Sequence, residues 1–224
     1  MNKREYSHEV YKISGTVSLT GEWNSPEWRK HNYIELDNFM GSIPLYKPVV
    51  RVRTGYDEDN LFLIFRTEER FARCITTEIN GPVWRDSAVE LFFSPDIKFP
   101  ERYFNLEINC GGTPLLHYNL VPRRELIEIP PEEISEITIS HSLPAIVDPE
   151  ITSVNSWIIE CKIPFSLLRR YSDVTTPVPG VIWKANFYKV AVNNSNPHYM
   201  TWSPVKNDIP DFHLPFYFGN LIFR

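Results

Sequence analysis

The segment 88–109 constrains the fold of this 224-residue chain more than any other. Successive side chains of a strand point to opposite faces, so residues two apart share a side. In 88–93, Val89, Leu91 and Phe93 fall on one face, and Ala88, Glu90 and Phe92 on the other. In 103–109, Phe104, Leu106 and Ile108 share one face, and Tyr103, Asn105, Glu107 and Asn109 the other. Ser94-Pro95-Asp96 supplies a turn signal between them. A hairpin that turns both oily sets inward leaves Glu90 beside Asn105, Glu107 and Asn109. That second face is expected to be the wet side of a sheet.

The same period of two recurs along the chain. Strands are expected at 49–54, 61–66, 115–120, 137–140, 157–163, 182–191 and 217–223, with an acidic turn at 56–60. The segment 123–136, acidic and with two prolines, reads as loop. The segment 164–170 reads as a short helix with Pro164 at its first position. Nineteen prolines against nine glycines, set between apolar runs, fit many strand-connecting loops. The expected fold is therefore all-β: a two-sheet antiparallel β-sandwich with one or two short helices. No composition shift divides the chain, so residues 1–224 are expected to form a single domain.

Composition narrows the function classes. Hydrophobic residues make up 42% and aromatic residues 14%, enough for a sizeable core and against global disorder. The net charge of −5, with no run of Lys or Arg, argues against a nucleic-acid partner. No apolar stretch approaches the ~20 residues that span a bilayer, so no membrane partner is expected. The start, Met1-Asn2-Lys3-Arg4-Glu5-Tyr6, carries no apolar region, so no signal peptide is visible. The expectation is a cytoplasmic protein as the sequence stands, or a periplasmic or secreted one if a leader was trimmed. Cys74, Cys110 and Cys161 are far apart without a CxxC pattern, which reads as buried or reduced thiols. The six histidines show no metal-ligand spacing.

The polar face suggests a sugar site. Sugars lay their C–H faces on aromatic rings and pair their hydroxyls with carboxylates, amides and cations. Glu90, Glu107 and Asn109, with Lys184 and Asn186 from the strand at 182–191, could supply the polar groups. Trp84, after Gly81-Pro82, and Trp202, among Thr, Ser and Pro, could supply the rings. Arg85 and Asp86 are second choices, and Asp86 could instead fix the Trp84 loop. Trp183 shares a face with Ala185 and Phe187 and suits the core. The competing reading is structural: Glu90 and Lys184 as an ion pair on a solvated sheet, and tryptophans as core.

The chain resembles the family 9 carbohydrate-binding modules, whose fold is shared by DOMON-type cytochrome and sugar-binding domains. The resemblance runs from about Gly21 to Phe223. It rests on Trp23-Asn24, the 61–66 strand after its acidic turn, and Asp86-Ser87-Ala88-Val89-Glu90-Leu91-Phe92. It also includes 104–109 with Gly111-Gly112-Thr113, Ile163-Pro164-Phe165 and Phe218-Gly219-Asn220-Leu221. The pattern of 185–189, His198-Tyr199 and Phe212-His213 looks like a stand-alone subgroup. The resemblance implies a non-catalytic β-sandwich that binds a plant-type saccharide of the xylan or cellulose class. It also implies glycosidases as partners and structural calcium as a cofactor. Two tryptophans clamp one sugar in that family, with a glutamate shortly after the first; Trp84 and Glu90 match the first pair, and Trp202 is the candidate second ring.

Three alternatives stay open. Glu90 and Glu107 on adjacent strands could serve as the carboxyl pair of a glycoside hydrolase, although a flat sheet face would not raise an acid's pKa. Asp57, Asp59 and Asn60 could offer oxygens to calcium, or form a plain acidic hairpin turn. Met200 with His213 could ligate a haem.

Overall fold

The computed structural model describes residues 6–15 and 17–224. The start of the chain read above for a leader, residues 1–5, lies outside them.

The chain enters as β1 (Ser7–Lys12) and continues through β2 (Tyr33–Leu36) and β3 (Asn38–Met40). A long hairpin follows, β4 (Val49–Tyr56) and β5 (Asn60–Glu69), then β6 (Ala72–Cys74). The constraining segment folds as β7 (Ala88–Ser94) and β8 (Tyr103–Asn109), extended by β9 (Pro114–Val121) and β10 (Glu125–Glu128). After the helical turn α1 (Pro131–Ile134) come β11 (Thr138–His141), β12 (Val147–Ile151) and β13 (Asn155–Pro164). The turn α2 (Phe165–Leu168) leads to β14 (Ile182–Ala191), β15 (His198–Thr201) and β16 (Gly219–Phe223).

The fold is nearly all-β and sandwich-like. One layer runs β10-β9-β8-β7-β14-β16, with β15 and β3 continuing from the second half of β14. The other runs β4-β5-β13-β11, with β2 beside β4. β1 joins them. Residues 7–10 pair with β16, and Tyr11 and Lys12 pair with β4. Both pairings are parallel, whereas the other ladders are antiparallel. The expected purely antiparallel sandwich is thus corrected to a mixed one. β6 and β12 form a separate small ribbon. Among the described residues no helix is long and apolar enough to cross a membrane.

The oily faces meet as the alternation requires. Val89, Leu91, Phe93, Phe104, Leu106 and Ile108 pack between the layers against Leu61, Leu63, Phe65, Trp157 and Ile159. Phe93 stacks on Trp183 with ring centroids 6.1 Å apart, and Phe65 meets Phe187 edge-on at 6.0 Å. Each such large apolar side chain contributes about 1.5–3 kcal/mol by leaving water.

Two expectations change at element level. The segment 123–136 contains β10 and α1, because β10 extends the ladder from β9 through a short turn. Pro164 ends β13 and precedes α2 rather than opening it.

The second face of β7–β8 is not a wet surface. Residues from 205–218 fold over it, and Val205, Phe212 and Phe218 pack with Ala88, Phe92, Tyr103 and Tyr188. Glu90 and Glu107 are consequently only 2% and 5% exposed.

A charge also lies between the layers. Trp183, Ala185, Phe187 and Lys189 share the inward face of β14. The buried Lys189 amine is 3.3 Å from Glu69 Oε2 and 3.1 Å from His198 Nε2, and it donates to the Val190 carbonyl at 3.0 Å. Trp157 Nε1 donates to Glu69 Oε1 at 2.8 Å. Burial lowers the Lys189 pKa and raises that of Glu69, each opposed by the other's charge. Lys189→Ala leaves the Glu69 carboxylate buried without its cation, a loss expected to cost about 3–5 kcal/mol. Urea denaturation should show a lower midpoint; an unchanged midpoint would mean the pair is dispensable.

Candidate functional site

The roofed face encloses a cavity of about 480 Å³. Its floor is a grid set by strand register. Glu90 lies across from Glu107, and Glu107 across from Leu115. In the next row Phe92, Asn105 and His117 are opposite one another, and Asn119 follows on β9. Every second residue of three neighbouring strands therefore points into one space. Val190 and Tyr199 add a side wall, Arg123, Arg124 and Leu126 another, and Pro210–His213 the roof. Trp84 stands at the rim, 40% exposed, on the 3-10 turn Val83–Arg85.

The roof is tied down by polar contacts. Arg123 pairs with Asp211, with Nε 3.2 Å from Oδ1. The same carboxylate accepts the His213 backbone N–H at 2.8 Å. The Tyr103 hydroxyl lies 2.8 Å from His213 Nδ1. Burial holds the His213 pKa down at about 4, so the ring is neutral near pH 7.

The floor carries a directed amide relay. Asn119 Nδ2 donates to Asn105 Oδ1 at 2.6 Å, and Asn105 Nδ2 donates to Glu107 Oε1 at 2.9 Å. Four buried polar atoms around this space then remain without a protein partner: Glu90 Oε2, Glu107 Oε2, Asn119 Oδ1 and His117 Nε2. Buried polar atoms are normally satisfied, and leaving one unpaired costs about 1–3 kcal/mol. Four such atoms on one cavity make it the candidate site.

The two carboxyls interact. Burial, then the charge of Glu107, raises the Glu90 pKa well above its usual value. Burial raises Glu107 to about 7, opposed by the Asn105 hydrogen bond and by Arg123. The enclosing roof thus does what a flat sheet face could not: it keeps a proton on the pair near neutrality.

Of the residues singled out from the sequence, Trp84, Glu90 and Glu107 are brought together on this cavity. Arg85 stands beside it, its guanidinium 5.0 Å from the Trp84 ring centroid. Its carbonyl accepts the Asn193 N–H at 2.8 Å, which anchors the rim. Asn109 lies away from the cavity. Its amide donates to the Thr76 carbonyl and to Asp86 Oδ2, and its oxygen accepts the Thr113 N–H. Asp86 also accepts the N–H groups of Ile75 and Thr76, fastening the base of the Trp84 turn.

Asn186 is buried and clasps Ser203, donating to its carbonyl and accepting its N–H, both at 2.9 Å. Lys184 pairs in register with Ser94, while Glu90 lies opposite Tyr188, so the Glu90–Lys184 ion pair is not formed. The Lys184 amine instead donates to Asn220 Oδ1 at 2.5 Å and borders a second cavity. Trp202 is 7% exposed and sits in the core, edge-on to Phe187 at 5.8 Å and close over Gly219. It is not a second ring at the rim; Phe92, Tyr199 and Phe212 are the Phe and Tyr side chains that line the cavity with Trp84.

Sequence reasoning missed His117 and Asn119, although both alternate with the oily residues of the 115–120 strand. Pairing that strand with β8 would have found them. Arg123, Asp211 and His213 carried no local signal.

Asp57 Oδ1 accepts the N–H groups of Asp59 and Asn60 at 2.8 and 2.6 Å, and Oδ2 receives the Asn60 amide at 3.2 Å. The Asp57 carboxylate thus fastens an acidic hairpin turn. Among the described residues no group of three or more His, Cys, Asp or Glu could hold a metal ion. Met200 packs in the core between the layers, whereas His213 is on the roof of the opposite face.

The carboxyl pair makes stability depend on pH. Below about pH 4.5 Glu107 is protonated in both folded and unfolded states. Between there and about pH 7 the folded chain keeps a proton that the unfolded chain releases. Stability therefore falls as pH rises through this window, by on the order of 3 kcal/mol. Glu107→Gln should flatten that fall and raise Tm at about pH 8 relative to the unsubstituted chain. Parallel Tm-against-pH curves for the two proteins would contradict it.

A protein from Bacteroides uniformis ATCC 8492, proposed to bind carbohydrate, has a crystal structure that superposes with a TM-score of 0.87. It is 29% identical and the match covers 98% of this chain and 100% of that one. A family 9 carbohydrate-binding module from Caldicellulosiruptor kristjanssonii in complex with cellotriose shares the fold. Its TM-score is 0.64 at 11% identity, over 98% of this chain and 94% of that one. A module of the same family and organism in complex with glucose gives 0.58 at 12% identity, over 96% and 95%. A search of curated proteins found no match. The sequence model of carbohydrate-binding family 9 matches residues 27–223, and the chain belongs to that family.

Proposed function

We propose that the chain binds a saccharide, without chemistry, in the cavity above β7, β8 and β9. The observation that carries this reading is that four unpartnered buried polar atoms share one cavity with a partly exposed indole. A sugar residue answers both features. Its hydroxyls donate to Glu90 Oε2, Glu107 Oε2 and Asn119 Oδ1, while its C–H face lies on Trp84. His117 Nε2 accepts or donates according to tautomer. A cavity of about 480 Å³ has the size of small-ligand sites. The solved family 9 modules in complex with cellotriose and glucose support a glucose-type unit as ligand. In this reading residues 1–224 act as one module. The wider target is a plant-type polysaccharide of the cellulose or xylan class, and the partners are glycosidases working on it.

A weakly hydrolytic reading draws on one observation, the paired buried carboxyls with raised pKa values. It requires turnover, whereas binding alone does not.

The test is calorimetry with cello- and xylo-oligosaccharides, run alongside a reducing-end assay on xylan. Binding is expected, with Trp84→Ala weakening it about tenfold, or ~1.4 kcal/mol. No reducing ends are expected. Reducing ends that vanish in Glu90→Gln would establish the hydrolytic reading instead. Unchanged affinity in Trp84→Ala would remove the stacking platform from the site.

A further inference from the structure

Resting on that reading, we infer that the site selects a saccharide carrying a free, protonated amine over its neutral hydroxyl counterpart. The geometry that points there is a buried pair of carboxyls with no cation of its own. Glu90 and Glu107 are opposite each other on adjacent strands, and each presents an unpartnered Oε2. The third free oxygen, Asn119 Oδ1, is also an acceptor, because the Asn119 amide is already donated to Asn105. Three free oxygens therefore converge where, among the described residues and apart from the proton the carboxyl pair retains, the floor offers no free donor other than one tautomer of His117.

Among the described residues the nearby cations, Arg85 over the Trp84 ring included, are engaged elsewhere or lie on the exposed side. Arg123 is paired with Asp211 in the roof. Arg124 is exposed on the turn before β10. Lys189 projects from the other face of β14 and is paired with Glu69 and hydrogen-bonded to His198. His213 faces Tyr103, and burial keeps it neutral near pH 7. Tyr188, opposite Glu90 on β14, donates its hydroxyl to the Phe212 carbonyl at 3.2 Å. His117 has its pKa lowered by burial and brings no fixed charge.

An ammonium group has three donors and no acceptor, which matches a set of free oxygens better than a hydroxyl does. It also supplies the charge that two buried carboxyls lack. Without it, the pair must hold a proton, as the raised values of both carboxyls indicate. Binding an ammonium displaces that proton. The fitting ligand class is a 2-amino-2-deoxyhexose, or its β-1,4-linked oligomers. These keep the equatorial backbone of cellulose and place an amine where cellulose has a hydroxyl. N-acetylation removes the charge and should remove the advantage.

The experiment is calorimetry near pH 7 with glucosamine, glucose and N-acetylglucosamine, repeated in two buffers of different ionisation heat. Glucosamine is expected to bind at least about tenfold more tightly than glucose, with N-acetylglucosamine no better than glucose. The apparent enthalpy should shift between buffers for glucosamine, reporting proton release. Glu107→Gln should narrow the ratio of glucosamine to glucose affinity to about twofold or less. Glu90→Gln is read in the same way if Glu107→Gln fails to fold, and circular dichroism checks both. Glucose binding as tightly as glucosamine would overturn this inference while leaving saccharide binding intact. If none of the three sugars nor the cello- and xylo-oligosaccharides bind, the saccharide reading itself fails with it.

Discussion

Everything in this molecule depends on the register of β7 with β8. Pairing Glu90 with Glu107 and Leu91 with Leu106 sends six large apolar side chains into the space between the layers. The same pairing sends two carboxyls and an amide to the opposite side. A slip of one residue would exchange the two sets, burying the acids in the core and exposing the oil. The hydrophobic side makes this register decisive, because each apolar side chain is worth kilocalories. The site inherits its geometry from core packing: the carboxyls face each other because the leucines do.

The protein treats its two buried acidic groupings differently. Between the layers, Glu69 has a lysine, a histidine and an indole N–H around it, so the charge is compensated internally. On the other face, Glu90 and Glu107 have one amide donor, on Glu107 Oε1, and two fully buried oxygens with none. A charge-compensated buried group holds a structure in place; an uncompensated one stores a capacity for an outside partner. Lys189 and Glu90 come from adjacent strands yet stay on separate sides of the sheet, which keeps the lysine from quenching the site. Electrostatics alone would allow the two to pair. The alternation of strand side chains is what separates them.

How much was legible follows the range of the interactions. Strands such as β5, β7, β8, β13 and β14 announce themselves, because alternation and β-branched or aromatic content are local. Short strands such as β3, β6 and β15 did not, because three or four residues carry too little periodic signal. They form only where a neighbouring ladder recruits them. That Glu90 and Glu107 share one face, with Trp84 at its entrance, was readable from the hairpin and its entrance turn. Trp202 was misleading for a physical reason. Its neighbours Thr201, Ser203 and Pro204 are polar or loop-like, but its ring fills space over Gly219, and that contact is visible only in three dimensions.

By itself, the sequence determined which side of each long strand is oily and hence that two layers must close over one core. It also determined that Glu90 and Glu107 share the other side. Only the tertiary structure decided that this other side is roofed rather than wet. The roof comes from residues more than a hundred positions downstream, held by Arg123 and Asp211 and by Tyr103 and His213. Such contacts leave no local pattern, since each partner is an ordinary polar residue in its own neighbourhood. Yet that enclosure turns a polar strip into a cavity, because excluding water is what raises the pKa of a carboxyl and leaves an unpaired oxygen in need of a partner.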